Sequence, residues 1–77
     1  MGLFGSLKKF ALGEEVQAFD KIKADKGALV LTVREKDGAR HLCLSAKSQS
    51  DTTMVILNSE QVRALASQFS QVEKLML

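Results

Sequence analysis

Two stretches in which hydrophobic and polar residues alternate, residues 29–34 and 40–45, lie on either side of the dipeptide Asp37-Gly38. Asp-Gly between alternating runs is typical of a two-residue β-hairpin loop, because both loop residues take up a positive φ there. Placing Asp37-Gly38 in the loop sets the register, and a slip by one residue would place apolar residues opposite polar ones. The predicted pairs are Leu29 with Ala46, Leu31 with Leu44, Val33 with Leu42, Arg34 with His41 and Glu35 with Arg40.

Two further stretches predict strands on either side of this hairpin. Residues 53–57 are apolar at both odd and even positions, which indicates a strand covered on both faces. Residues 16–23 alternate less regularly and predict a strand with a bulge. Turn residues separate these stretches from the hairpin. The pattern therefore predicts about four antiparallel strands, joined as a meander over residues 14–57.

Helical spacing replaces alternation in the last part of the chain. Asn58 precedes this part as a potential N-cap, and Gln61 is its potential capping-box partner. We therefore expect a helix over residues 59–75, packed on the leucine-rich side of the hairpin. The apolar positions of this helix are Val62, Leu65, Ala66, Phe69, Val72 and Met76.

The first residues of the chain also have an amphipathic pattern, which predicts a short helix over residues 2–12. Two interpretations stay open: a helix docked on the domain or on a dimer mate, and a reversible contact with a partner or a membrane surface. Docking is favoured, because isolated helices this short are marginal in water. The residues that would make the contact are Leu3, Phe4, Leu7, Lys8, Lys9 and Phe10.

The pattern and the composition together predict a small, single α+β domain spanning residues 1–77. The chain is 45% hydrophobic and 26% charged, which is ordinary for a globular domain. A domain of 77 residues buries little core, so homodimerisation would be an expected source of stability. Cys43 is the only cysteine, which excludes an intramolecular disulfide and favours the cytoplasm.

Catalytic chemistry is not indicated. His41, the only histidine, has no evident Ser or carboxylate partner, and its expected neighbour is Arg34. A Cys43–His41 pair on one face is geometrically conceivable, but a nucleophile also needs an orienting group and an oxyanion site. The carboxylates do not have the spacing of metal ligands. We therefore expect a protein that is not an enzyme and has no cofactor or metal.

Basic residues on the solvent side of the predicted sheet are the remaining candidates for a site. The electrostatic attraction that they provide for an anionic partner is modest, since the chain carries a formal charge of +2. Such a face can follow a phosphate backbone with salt-sensitive affinity, and an aromatic residue on a strand can stack on a base. The candidate residues are Arg34, Arg40, His41, Lys47, Lys21, Lys23 and Lys26, with Phe19 for stacking.

Two segments resemble the positive cofactor four family of transcriptional coactivators. Residues 28–35, ALVLTVRE, are similar to a strand of that family that ends in Arg-Glu, and residues 55–61, VILNSEQ, to its strand-to-helix junction. The resemblance covers about residues 16–75. It implies a curved four-stranded antiparallel sheet followed by a helix, a dimer formed largely through the helices, and single-stranded nucleic acid bound on the sheet.

Two functions therefore stay open for a non-enzymatic binding module. The first is binding of single-stranded nucleic acid on the solvent face of the sheet. The alternative is a protein-interaction or adaptor domain, which would use a sheet edge, the C-terminal helix or the N-terminal helix.

Overall fold

The computed structural model describes residues 12–77, which form five β-strands followed by one α-helix, an α+β architecture. The helix predicted over residues 2–12 lies outside the described residues, except for Leu12. The elements in chain order are β1 (Glu14–Ala18), β2 (Ile22–Ala24), β3 (Gly27–Lys36), β4 (Ala39–Lys47), β5 (Thr52–Leu57) and α1 (Ser59–Met76).

The β3–β4 hairpin has the predicted register at every pair, including Val33 opposite Leu42. Its loop has φ values of 54° at Asp37 and 80° at Gly38. Two consecutive residues with positive φ are the requirement of a type I′ turn, whose twist matches that of the flanking strands. The local turn chemistry is thus sufficient to align the two longest strands.

The first predicted strand is present as two short strands, β1 and β2, which both pair with β3. Val16 is an extra residue in β1, because the register shifts between Glu15 and Gln17. The chain then leaves the ladder after Phe19, whose amide donates a last hydrogen bond to the Leu31 carbonyl at 3.0 Å. The sheet therefore has the order β1-β3-β4-β5, with β2 continuing the line of β1.

Alternation along paired strands divides the sheet into two faces. The face that we call the leucine face carries Leu29, Leu31, Val33, Leu42, Leu44, Ala46, Val55 and Leu57. The face that we call the opposite face carries Val30, Thr32, Arg34, His41, Cys43, Ser45, Lys47, Met54 and Ile56.

Helix α1 begins after the predicted capping box and ends at Met76, one residue beyond the predicted end. The Asn58 side chain accepts a hydrogen bond from the Gln61 amide at 2.9 Å, and the Gln61 side chain accepts one from the Asn58 amide at 2.9 Å. Within residues 12–77, no helix combines the length and the apolar character needed to cross a membrane.

The helix covers less of the leucine face than we expected. Its Cα atoms approach those of β4 and β5 but of no other strand. Leu42 is only 8% exposed, whereas the neighbouring leucines of this face are half-buried. On the helix itself, Val62 and Leu65 are half-buried and every later residue is exposed. Only the first two turns of α1 therefore contribute to the core.

Candidate functional site

Three of the predicted basic residues meet at one end of the sheet. Lys23 and Lys47 both lie beside Ala28 on the opposite face, one on each neighbouring strand. Two strand spacings separate them, about 10 Å between Cα atoms. Lys26 lies in the adjacent β2–β3 turn, and Lys21 lies in the gap between β1 and β2. We call Lys23, Lys26 and Lys47 the lysine end.

Arg34 is on the same face but has a structural role. Its Nη1 donates a hydrogen bond to the Gly13 carbonyl at 3.0 Å, and its Nη2 lies 3.9 Å from Glu15 Oε1. The Arg34 side chain is 13% exposed. Gly13 has a φ of 90°, and a Cβ there would clash with the Glu35 carbonyl. Arg34 therefore holds the start of β1 against β3, and little of its guanidinium is open to a phosphate.

The other predicted residues are separated from the lysine end. Arg40 pairs with Glu35 through Nε and Oε1 at 3.2 Å, at the hairpin end of the sheet. His41 lies beside Arg34 and is half-buried. Phe19 continues β1 opposite Leu31, which places it on the leucine face. The lysines and this aromatic ring are therefore on different sides of the sheet.

Cys43 lies at the centre of the opposite face and is 3% exposed. Burial raises the pKa of its thiol above the ordinary value of 9.0, and the charge of Arg34 opposes this with a smaller lowering. A thiol that is buried and largely protonated is a poor nucleophile. Among residues 12–77, no group of three or more His, Cys, Asp or Glu residues has the arrangement of a metal site.

A groove lies where the first turn of α1 meets the sheet, with a volume of about 410 Å³. Val33, Leu42 and Val62 supply apolar side chains to it, one from each of β3, β4 and α1. Arg40 and Arg63 also line it, and so does His41, although alternation along β4 directs its side chain to the opposite face. No carboxylate among the described residues lines the groove, but Glu35 pairs with Arg40 at its border. The groove thus combines an apolar lining with positive charge.

The sequence pattern did not reveal this groove, although each part of it was visible. Val33 opposite Leu42 follows from the hairpin register, and Val62 belongs to the apolar positions of the helix. Arg63 is not one of the apolar positions of the helix, and the local pattern does not indicate that it borders a cavity. The missing information was the position of the helix on the sheet.

Several large apolar side chains of the described residues remain exposed. On the sheet these are Val16, Phe19, Ile22, Met54, Val55 and Ile56, and on the helix and after it Phe69, Val72, Leu75, Met76 and Leu77. Exposed apolar surface of this kind is typical of an interaction site when it is contiguous. The predicted N-terminal contact residues Leu3, Phe4, Leu7, Lys8, Lys9 and Phe10 lie outside the described residues.

Comparison with known proteins identifies no relative of this chain. The chain matches no protein-family model, no curated protein and no solved structure. The resemblance to the positive cofactor four family therefore stays a prediction, and so do the nucleic-acid and protein partners inferred from the sequence.

Proposed function

We propose that this chain is a small, non-enzymatic protein-binding module whose groove beside α1 binds an acidic, apolar segment of a partner protein. The observation that carries the proposal is the lining of the groove. Val33, Leu42 and Val62 offer an apolar surface, and Arg63 places a positive charge at its border. Arg40 also lies there, where its charge is paired with that of Glu35. Binding sites of this kind hold an apolar anchor in the groove and pair its charged neighbours at the rim.

The size of the groove supports a side-chain anchor rather than a whole folded domain. Its volume of about 410 Å³ is at the lower end of the roughly 300–1,000 Å³ typical of ligand pockets. One or two leucine or phenylalanine side chains fit such a space. The flanking residues of the partner would then lie against Arg63, where a carboxylate is the complementary group.

A fluorescent peptide that alternates glutamate with leucine provides a direct test, read out by anisotropy. We expect saturable binding to the full chain, and no binding of a matched peptide in which lysine replaces glutamate. Arg63→Glu should weaken binding by about tenfold, equivalent to about 1.4 kcal/mol. Lys74→Glu, which changes the charge equally in the last turn of the same helix, should leave the affinity unchanged. Equal weakening by the two variants would contradict the proposal.

A second candidate function, binding of single-stranded nucleic acid, is supported by the lysine end. Lys23 and Lys47 flank Ala28 on one face, and such a pair can contact successive phosphates. We expect an oligothymidylate probe to bind weakly and to lose affinity steeply with added salt. A double variant, Lys23→Gln with Lys47→Gln, should reduce both the affinity and the salt slope, whereas Lys74→Gln should not. Absence of binding at low salt would exclude this function.

A further inference from the structure

The two outer edges of the sheet differ in how well they are protected against pairing with another strand. On one side, β1 contains the Val16 bulge, the ladder is interrupted between β1 and β2, and the edge carries charged side chains. Bulges, short strands and charges are the features by which proteins prevent edge-to-edge association. The β1/β2 edge is therefore poorly suited to continue the sheet.

Strand β5, at the other side, has none of these features. Its six residues, Thr52–Leu57, include no charge and no proline, and its register with β4 is unbroken. Among the described residues, β4 is the only strand with which it pairs. Val55 at its centre is 47% exposed, and its neighbours Met54 and Ile56 are about equally so. A regular, apolar and exposed edge of this kind is a template for a further strand.

We propose that β5 pairs antiparallel with the β5 of a second copy of this chain, so that two sheets join into one. The sequence of the strand favours a copy of itself as the occupant. Every residue from Thr52 to Leu57 is apolar or a threonine, so self-pairing brings no like charges together. A charged foreign segment would find no complementary charge on this strand.

Symmetry restricts the register of such a dimer. Directly opposed residues of an antiparallel pair share a face, so a two-fold axis must pass where a residue meets its own copy. Centring the pair on Val55 aligns residues 53–57 of the strand and keeps Asp51 outside the paired region. The opposed pairs are then Val55 with Val55 of the partner subunit, Met54 with the partner's Ile56, and Thr53 with the partner's Leu57.

The same axis places both leucine faces on one side of the joined sheet, together with both helices. This is relevant because pairing of a strand as short as β5 buries less than the roughly 1,200 Å² of a stable interface. Exposed apolar groups on that side, among them Val55 and Phe69, provide further surface within reach of the second copy. The dimer requires no contact in the groove beside α1, so it stands independently of the proposed peptide site.

Disulfide trapping tests the register directly. Val55→Cys should form an intermolecular disulfide under mild oxidation, because opposed Cα atoms lie about 4.5–5.5 Å apart, within disulfide range. Thr53→Cys should not, because its opposed residue is Leu57 and not its own copy. Both variants keep the buried Cys43, so a disulfide formed through Cys43 would appear equally in both. Equal trapping of the two variants, or trapping of neither, would overturn the proposed register.

Light scattering on the full chain tests the association itself. We expect a dimer at about 100 μM and a monomer for Val55→Lys, in which two like charges would face one another across the axis. Val16→Lys introduces the same change at the other edge, at a residue of similar exposure, 42% against 47%, and should stay dimeric. A wild-type monomer at this concentration, or a dimeric Val55→Lys protein, would refute the proposal. If Val55→Lys fails to fold by circular dichroism, the trapping experiment decides.

Discussion

Two neighbouring residues of β4, Leu42 and Cys43, are the buried hydrophobic residues of the described chain. They project to opposite faces of the sheet, so each is the best-covered point of its own face. The burial of Leu42 could be predicted, because the hairpin register places it on the leucine face under the expected helix. The burial of Cys43 could not be predicted, because its neighbours Thr32 and Ser45 indicate a polar face.

At the leucine face, Leu42→Ala should lower the free energy of unfolding by about 2–4 kcal/mol, since it removes a buried side chain and leaves a cavity. Leu75→Ala is the matched control, because Leu75 is 84% exposed, and it should cost less than about 0.5 kcal/mol. Urea denaturation of the two variants measures the difference. Similar losses for both would mean that the beginning of α1 does not define the core.

At the opposite face, the raised pKa of Cys43 makes stability depend on pH. The unfolded thiol loses its proton at a lower pH than the folded thiol, so stability is complete below the unfolded pKa of about 9 and falls as pH rises through the folded pKa. Urea midpoints from pH 7 to 10.5 should therefore decline more steeply for the wild type than for Cys43→Ala. Parallel profiles would show that burial of this thiol has no energetic effect.

At the scale of the elements, the accuracy of the sequence-based predictions depends on how local the determining chemistry is. Asp37-Gly38 specifies the hairpin register through two positive φ values, and Asn58 with Gln61 specifies the start of α1 through two reciprocal hydrogen bonds. The hairpin register and the start of α1 are each specified within four consecutive residues. The division of the first strand into β1 and β2 depends on how residues 14–24 fit against β3, which local pattern does not encode.

The extent to which α1 lies on the sheet is also not a local property. It depends on the angle at which the chain leaves β5, so the helical pattern predicted the apolar positions but not which of them would be covered. The groove has the same origin, because Val33, Leu42 and Val62 are distant in sequence and converge only when the helix docks. The lysine end similarly depends on the pairing of β2 with β3.

The capping box at the start of α1 gives a prediction for this element. Asn58→Ala removes the acceptor for the Gln61 amide and should lower the free energy of unfolding by about 1 kcal/mol. Gln61→Ala removes the reciprocal bond and should cost less, since alanine favours the helix. Denaturant titration of the two variants measures which of them loses more stability. An Asn58→Ala protein as stable as the wild type would mean that the first turn frays in solution.

The whole molecule has a small core for a chain with 45% hydrophobic residues. Much of that hydrophobic content is exposed on the leucine face, on β5 and along α1. A domain with so little buried surface is marginal alone. The same surfaces that reduce its stability as a monomer are those available to a second copy and to a protein partner.

If association supplies the missing burial, thermal stability must depend on protein concentration. Raising the concentration about 100-fold adds about 2.7 kcal/mol to the stability of a dimer, which should raise Tm by roughly 5–10 °C for two chains of this size. Differential scanning calorimetry or fluorimetry over that range provides the measurement. The Val55→Lys protein should show a constant Tm, and a constant Tm for the wild type would indicate that a single chain is stable alone.

The meander topology described for the sheet also affects how quickly the domain can fold. Every strand pairs with a strand that is close to it in sequence, and α1 contacts the strands that come just before it. Most contacts therefore join residues fewer than 12 positions apart, and chains with this property close short loops and fold faster than chains dominated by non-local pairing. We expect folding to begin at the Asp37-Gly38 hairpin. Pairing with β4 then covers one edge of β5 early, and only its outer edge stays exposed in the complete sheet, where it is available to a second copy.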